Sequence, residues 1–161
     1  MIVVLMGVEG SGKTTLGQLL AAELEWTFVE GDEFHPQANV DKMRRGEPLT
    51  DADRAPWLHA LRARIDQLAA ASRSAVVACS ALKQSYRDEL ASGRPEVVFV
   101  FLTAPPAVLR ERLRHRLGHY MPPELLSSQL ATLEEPAGVL AVDVSSAPKE
   151  SVAAIRRGLG V

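Results

Sequence analysis

Five short stretches of the chain are dominated by apolar residues: Ile2–Met6, Thr27–Glu30, Ala75–Cys79, Val97–Leu102 and Leu140–Val144. Most are nearly continuous rather than alternating, the pattern of strands buried on both faces of a parallel sheet. Between them, apolar residues recur at helical spacing: Leu16, Leu19, Leu20 and Leu24, then Leu58, Leu61, Ile65 and Leu68, then Val152, Ile155 and Leu159. Pro105 and Pro106 open a further helix carrying Val108, Leu109 and Leu113, because proline is tolerated in a first helical turn. Another stripe starts at Leu125 and Leu126, and Ala69–Ala71 reads as a helix end. Strands alternating with helices predict an α/β three-layer fold with a five-stranded parallel sheet. No repeat, low-complexity tract or linker interrupts the pattern, so residues 1–161 read as one domain.

The turn between the first strand and the first helix carries the most specific chemistry. Gly7-Val8-Glu9-Gly10-Ser11-Gly12-Lys13-Thr14 is a complete phosphate-binding loop in the strand–turn–helix context that such a loop requires. Its glycines let backbone N–H groups of residues 7–15 (Gly7 through Thr15) turn inward at a helix N-terminus and cradle an anion. Lys13 can reach the β- and γ-phosphates of a nucleoside triphosphate, and the Thr14 hydroxyl can ligate Mg²⁺.

In open parallel sheets, ligands collect beyond the carboxyl ends of the strands. Two more polar clusters follow such ends: Gly31-Asp32-Glu33-Phe34-His35-Pro36 and Ser80-Ala81-Leu82-Lys83. The third strand has no acidic residue at its end, which makes Asp32 the best carboxylate for taking a proton from an acceptor hydroxyl, orienting it, or holding Mg²⁺ through water. Glu33 reads as surface or supporting. His35 either hydrogen-bonds a polar substrate or caps the short helix that follows. Thr50 or Asp51 N-caps the next helix, and Arg54 falls in its first turn, an unfavourable end for a cation. Arg54 therefore calls for an anionic partner, either a substrate carboxylate or Asp51 or Asp53. Lys83 and Arg87, four apart, could add positive charge to the same cleft. Arg110, Arg112, Arg114 and Arg116 split into two faces of one helix, and like charges at this spacing repel unless an anion lies between them. One pair is expected at a nucleotide phosphate and the other in solvent. Gly118-His119-Tyr120-Met121-Pro122-Pro123 has the composition of a mobile lid, spanning about residues 114–135.

Composition narrows the partners. With 18 Lys and Arg against 20 Asp and Glu, no basic field argues for nucleic acid. The single cysteine, Cys79, lies in an apolar run and reads as core. No signal segment precedes the first strand and no run approaches membrane-spanning length, so a cytoplasmic protein is expected.

The residues resemble the gluconate kinases (gluconokinases) among small phosphate-loop kinases, over nearly the whole chain. Beyond the loop, the likeness rests on Gly31-Asp32, His35-Pro36, Asn39, Lys42-Met43, Gly46, Pro48-Leu49, Asp51, Asp53-Arg54 and Pro56-Trp57-Leu58. It continues through Cys79-Ser80-Ala81-Leu82-Lys83, Tyr86-Arg87-Asp88, Gly118-His119, Leu126 to Gln129, Leu133-Glu134 and Pro136. The resemblance implies a P-loop nucleoside-triphosphate hydrolase fold of the nucleotide-kinase type. It also implies transfer of the ATP γ-phosphate to the 6-hydroxyl of D-gluconate, Mg²⁺ dependence and a homodimer. Carried onto this chain, Lys13 and Thr14 bind phosphate and metal, and Asp32 is the base. His35, Arg54, Lys83 and Arg87 fall on the substrate side, within or beyond a segment of about 32–58. Arg112 and Arg116 fall where a nucleotide-stacking and a lid arginine are expected, and Ser145 to Pro148 near adenine. Two departures stand out. Glu9 replaces a smaller polar residue and is expected to point outward with little effect, and the stretch Glu135 to Val139 is shorter than in the family.

Two other functions compete on chemistry alone. A kinase for another small acceptor, such as shikimate or a nucleoside monophosphate, would use the same arginines. A nucleotide-dependent switch would need a base-reading Asn-Lys-x-Asp segment, which Asn39-Val40-Asp41-Lys42 does not match.

Overall fold

A computed structural model of the protein describes residues 1–116 and 125–161. The expected lid residues Gly118 to Pro123 lie outside the described residues. In chain order the elements are β1 (Ile2–Met6), α1 (Lys13–Leu24), β2 (Thr27–Glu30), a 3₁₀ turn (Gly31–Phe34), α2 (Gln37–Arg44) and α3 (Asp51–Ala70). There follow β3 (Ala75–Ala78), α4 (Gln84–Ala91), β4 (Val97–Thr103), α5 (Pro106–Arg114), α6 (Leu125–Thr132), β5 (Leu140–Asp143) and α7 (Pro148–Leu159).

The strands form one parallel sheet in the order β2-β3-β1-β4-β5. β1 is central and entirely buried, which is why its five residues can all be apolar. Its pleat divides the core. Ile2, Val4 and Met6 face Trp57, Leu61, Ile65 and Leu68 of α3, together with Leu90 of α4. Val3 and Leu5 face Leu16 and Leu20 of α1, with Val152 and Ile155 of α7. Each such side chain contributes roughly 1.5–3 kcal/mol by leaving water.

Ends shift by a residue from the expected strands: β3 stops at Ala78, β4 runs to Thr103 and β5 stops at Asp143. Cys79 still donates its N–H to the Leu5 carbonyl at 3.1 Å, so the shift is a fraying ladder rather than a different register. Burial pushes the Cys79 thiol up to about 12, consistent with a core role. Thr50, not Asp51, is the N-cap of α3. Its hydroxyl accepts the Asp53 N–H while Asp53 accepts the Thr50 N–H, a capping box.

Candidate functional site

The phosphate loop joins the end of β1 to α1. Gly10 and Gly12 hold φ of 85° and 84°, left-handed values that residues with a Cβ rarely adopt. Gly12 caps α1 without any side-chain bond to the helix, so the first N–H groups of α1 face the loop's hollow. Ser11 donates its hydroxyl to the Val8 carbonyl at 2.8 Å, and Lys13 Nζ donates to the same oxygen at 3.0 Å. Thr14 donates its hydroxyl to Glu30 Oε2 at 2.6 Å. Glu30, the last residue of β2, was not singled out from sequence, although an acidic residue two before Asp32 was a usable signal. Burial raises its carboxyl above the usual range, partly offset by the Thr14 hydroxyl.

Asp32 sits on the 3₁₀ turn after β2, its N–H donating to Glu30 Oε1 at 3.3 Å. This turn lies tight against β3. A Cβ on Gly31 would stand 2.3 Å from the Ala78 carbonyl oxygen, so only glycine lets the turn come that close. Trp57 Nε1 donates to the Gly31 carbonyl at 2.8 Å and fixes the turn from the α3 side. Trp57 also carries His35, stacked on it with centroids 4.3 Å apart and planes at 14°. Asn39 Nδ2 lies 3.2 Å from His35 Nδ1 and donates to the Asp53 carbonyl at 2.8 Å. Burial pushes the His35 ring down to about 4, so it is neutral near pH 7. With Asn39 donating to Nδ1, the Nε2–H remains the donor.

Lys13, Asp32, His35, Trp57 and Arg54 line one cleft of about 530 Å³. A chamber of about 240 Å³ over the loop shares Glu9, Lys13 and Asp32 with it and adds Arg116. On the loop's other side, Gly12 and Thr15 line a third chamber of about 540 Å³ with Arg112, Val144, Ser146 and Pro148. Residues of the phosphate loop thus line all three spaces.

Among the described residues, neither Asp51 nor Asp53 pairs with Arg54. Lys83 Nζ holds Asp51 at 2.9 Å, and Lys42 holds Asp53 at 2.7 Å. Arg54 Nη1 donates to the Tyr86 hydroxyl at 3.1 Å instead. Arg112 Nη1 lies 3.4 Å from the Gly10 carbonyl, and its Nη2 donates to the Val144 carbonyl. Arg116 pairs with Glu9, whereas Arg114 pairs with Glu111 on the solvent side; the helix ends at Arg114, so Arg116 reaches the site from the segment beyond it rather than from a shared helix face with Arg112.

Three expectations are corrected. Arg87 is buried and turned away from the cleft, donating to the carbonyls of Ala81, Leu82 and Glu134 and to Gln84 Oε1. It ties the short stretch after α6 to the start of α4, beside the Glu134 N–H, which donates to the same Leu82 carbonyl at 2.8 Å. Lys83 is committed to Asp51 rather than lining the cleft. Glu9 does not point outward: only 5% of it is exposed, and it meets Arg116 inside the site. Gln129 and Ser80 also line the cleft, and Gln129 Oε1 accepts the Glu9 N–H at 2.7 Å.

A family model described as an AAA domain matches residues 2–136. The gluconokinase of Gluconobacter oxydans (strain 621H) is 51% identical over 133 residues, covering 83% of this chain and 75% of that protein. The chain belongs to the gluconokinase family. The crystal structure of a gluconokinase from Sinorhizobium meliloti 1021 superposes with a TM-score of 0.87 at 47% identity, covering 98% of this chain and 90% of that one. A shikimate kinase from Aquifex aeolicus vf5 shares the fold at a TM-score of 0.66, with 19% identity. The gluconokinase likeness is one of sequence and fold over nearly the whole chain, whereas the shikimate kinase likeness is one of fold.

Proposed function

We propose that this protein transfers the γ-phosphate of ATP to the 6-hydroxyl of D-gluconate, giving 6-phospho-D-gluconate and ADP. One observation carries the acceptor assignment beyond the family likeness: Arg54 enters the cleft of Asp32 and His35 with both nearby carboxylates held by lysines. A cation left over in a polar cleft suits an acid, and its planar fork suits a carboxylate.

In this reading, Lys13 and the loop N–H groups hold the phosphates, and Arg112 borders the chamber assigned to the base. Asp32 accepts the proton of the attacking hydroxyl as its oxygen bonds to phosphorus and ADP departs. Neutral His35 donates from Nε2 to a sugar hydroxyl, and Arg54 receives the carboxylate. Arg116 meets the γ-phosphate side. The Thr14 hydroxyl and the Glu30 carboxylate, paired 2.6 Å apart beside Lys13, offer the hard oxygen donors that Mg²⁺ takes. When bound there, the ion would neutralise phosphate charge. No helix among the described residues is long and apolar enough to cross a membrane. The family likeness supports a homodimer acting in the cytoplasm, testable by light scattering and fractionation.

The test is ADP release over a panel of D-gluconate, other sugar acids, shikimate and nucleoside monophosphates. Gluconate is expected to be the preferred acceptor. Activity confined to a nucleotide acceptor would overturn the assignment.

A further inference from the structure

Asp51 and Arg54 are the first and fourth residues of α3, and helical geometry puts residues three apart on neighbouring positions. An acid and a base so placed would ordinarily pair, and that pairing would neutralise Arg54. It does not form here. The Tyr86 hydroxyl stands between them, donating to Asp51 and accepting from Arg54 Nη1. Asp51 is drawn the other way by Lys83, whose Nζ lies 2.9 and 3.1 Å from its two oxygens. Both cations also lie over the Tyr86 ring, with Arg54 Cζ 5.6 Å and Lys83 Nζ 5.8 Å from its centroid. The local charge sums to one uncompensated cation, and that cation is the one lining the cleft.

We propose that Lys83 is a positioning residue for acceptor binding: it sequesters Asp51 so that Arg54, steadied by Tyr86, stays available to the acid. The inference rests on the reading above in which Arg54 receives the gluconate carboxylate. It assigns Lys83 a different part from direct contact with the substrate. Two donors compete for one carboxylate, and removing the exposed one hands Asp51 to Arg54. An ion pair in this partly solvated setting is of a size to shift affinity by roughly fivefold.

The experiment measures KM for gluconate, KM for ATP and kcat for the parent, Lys83→Met and the double variant Lys83→Met/Asp51→Asn, with thermal midpoints for each. Lys83→Met is expected to raise the gluconate KM about fivefold, with kcat and the ATP KM within about twofold of the parent. Asp51→Asn in that background removes the competing charge and is expected to restore the gluconate KM. An equally raised KM in both variants would mean that Lys83 touches the acid itself and would overturn the inference alone. An unchanged KM in Lys83→Met would also overturn it. A parent inactive on gluconate would remove the acceptor assignment and this inference with it.

Discussion

Lys13 and Asp32 border the same two spaces, the acceptor cleft and the chamber over the phosphate loop. Their side chains are nevertheless held by different parts of the fold. Lys13 is anchored to the Val8 carbonyl within the loop, while Asp32 rides on a turn fixed by Gly31 and Trp57. On the proposed function, replacing Asp32 by alanine removes the proton acceptor without disturbing the phosphate cradle. The expected outcome is a fall in kcat of about 10²-fold or more, the scale of a lost general base, with ATP affinity nearly unchanged. Turnover near the parent's would remove Asp32 as the base. Loss of ATP binding in parallel would make it part of the nucleotide site instead.

At the scale of elements, the segment just after α5 and the phosphate loop meet through Glu9 and Arg116. The carboxylate is buried in the chamber proposed for the triphosphate, and it already engages the cation proposed to meet phosphate. ATP binding in that chamber has to move the carboxylate or accept its repulsion, since like charges in a partly dry site interact strongly. Glu9→Ser removes that competition and frees Arg116. A several-fold lower Kd for ATP is expected, read by calorimetry, with the acceptor KM little changed. Weaker ATP binding in this variant would show that Glu9 supports the loop rather than competing with phosphate. The same contact explains why Glu9 was misjudged from sequence. Its direction is decided by a residue 107 positions away in the chain, and no local pattern encodes that.

For the molecule as a whole, the strands, the phosphate loop and the convergence of three strand ends were legible, because continuous apolar runs and glycine spacing are local signals. A cap at Thr50 or Asp51 was legible in the same way, and the reciprocal Asp53 bond that completes the box is added by the structure. What was not legible depends on contacts across the fold. Arg87 lies four residues from Lys83 on paper, yet the Glu134 carbonyl, 47 positions on, helps hold it in the interior. Glu30 carries a local signal, an acid two residues before Asp32, but its pairing with Thr14 arises only when β2 and α1 pack together.

One such long-range packing has a consequence for stability. His35 is held neutral against Trp57, with burial lowering its ring from an ordinary 6.5 to about 4. The unfolded chain takes up the proton as pH falls through about 6.5, while the folded protein resists until about pH 4. His35 therefore stabilises the fold less at low pH: its contribution is intact above pH 6.5 and declines progressively as pH drops toward 4. The integrated loss is at most about 3 kcal/mol, and somewhat less because the ring is partly solvated. Denaturant unfolding of the parent and of His35→Gln at pH 7 and pH 4.5 isolates this term from the carboxylates, which titrate in both proteins. The parent is expected to lose more stability than the variant over that interval. Equal losses in the two would mean that His35 gains its proton at an ordinary pH in the folded state, and that the neutral donor assigned to it in the cleft is wrong.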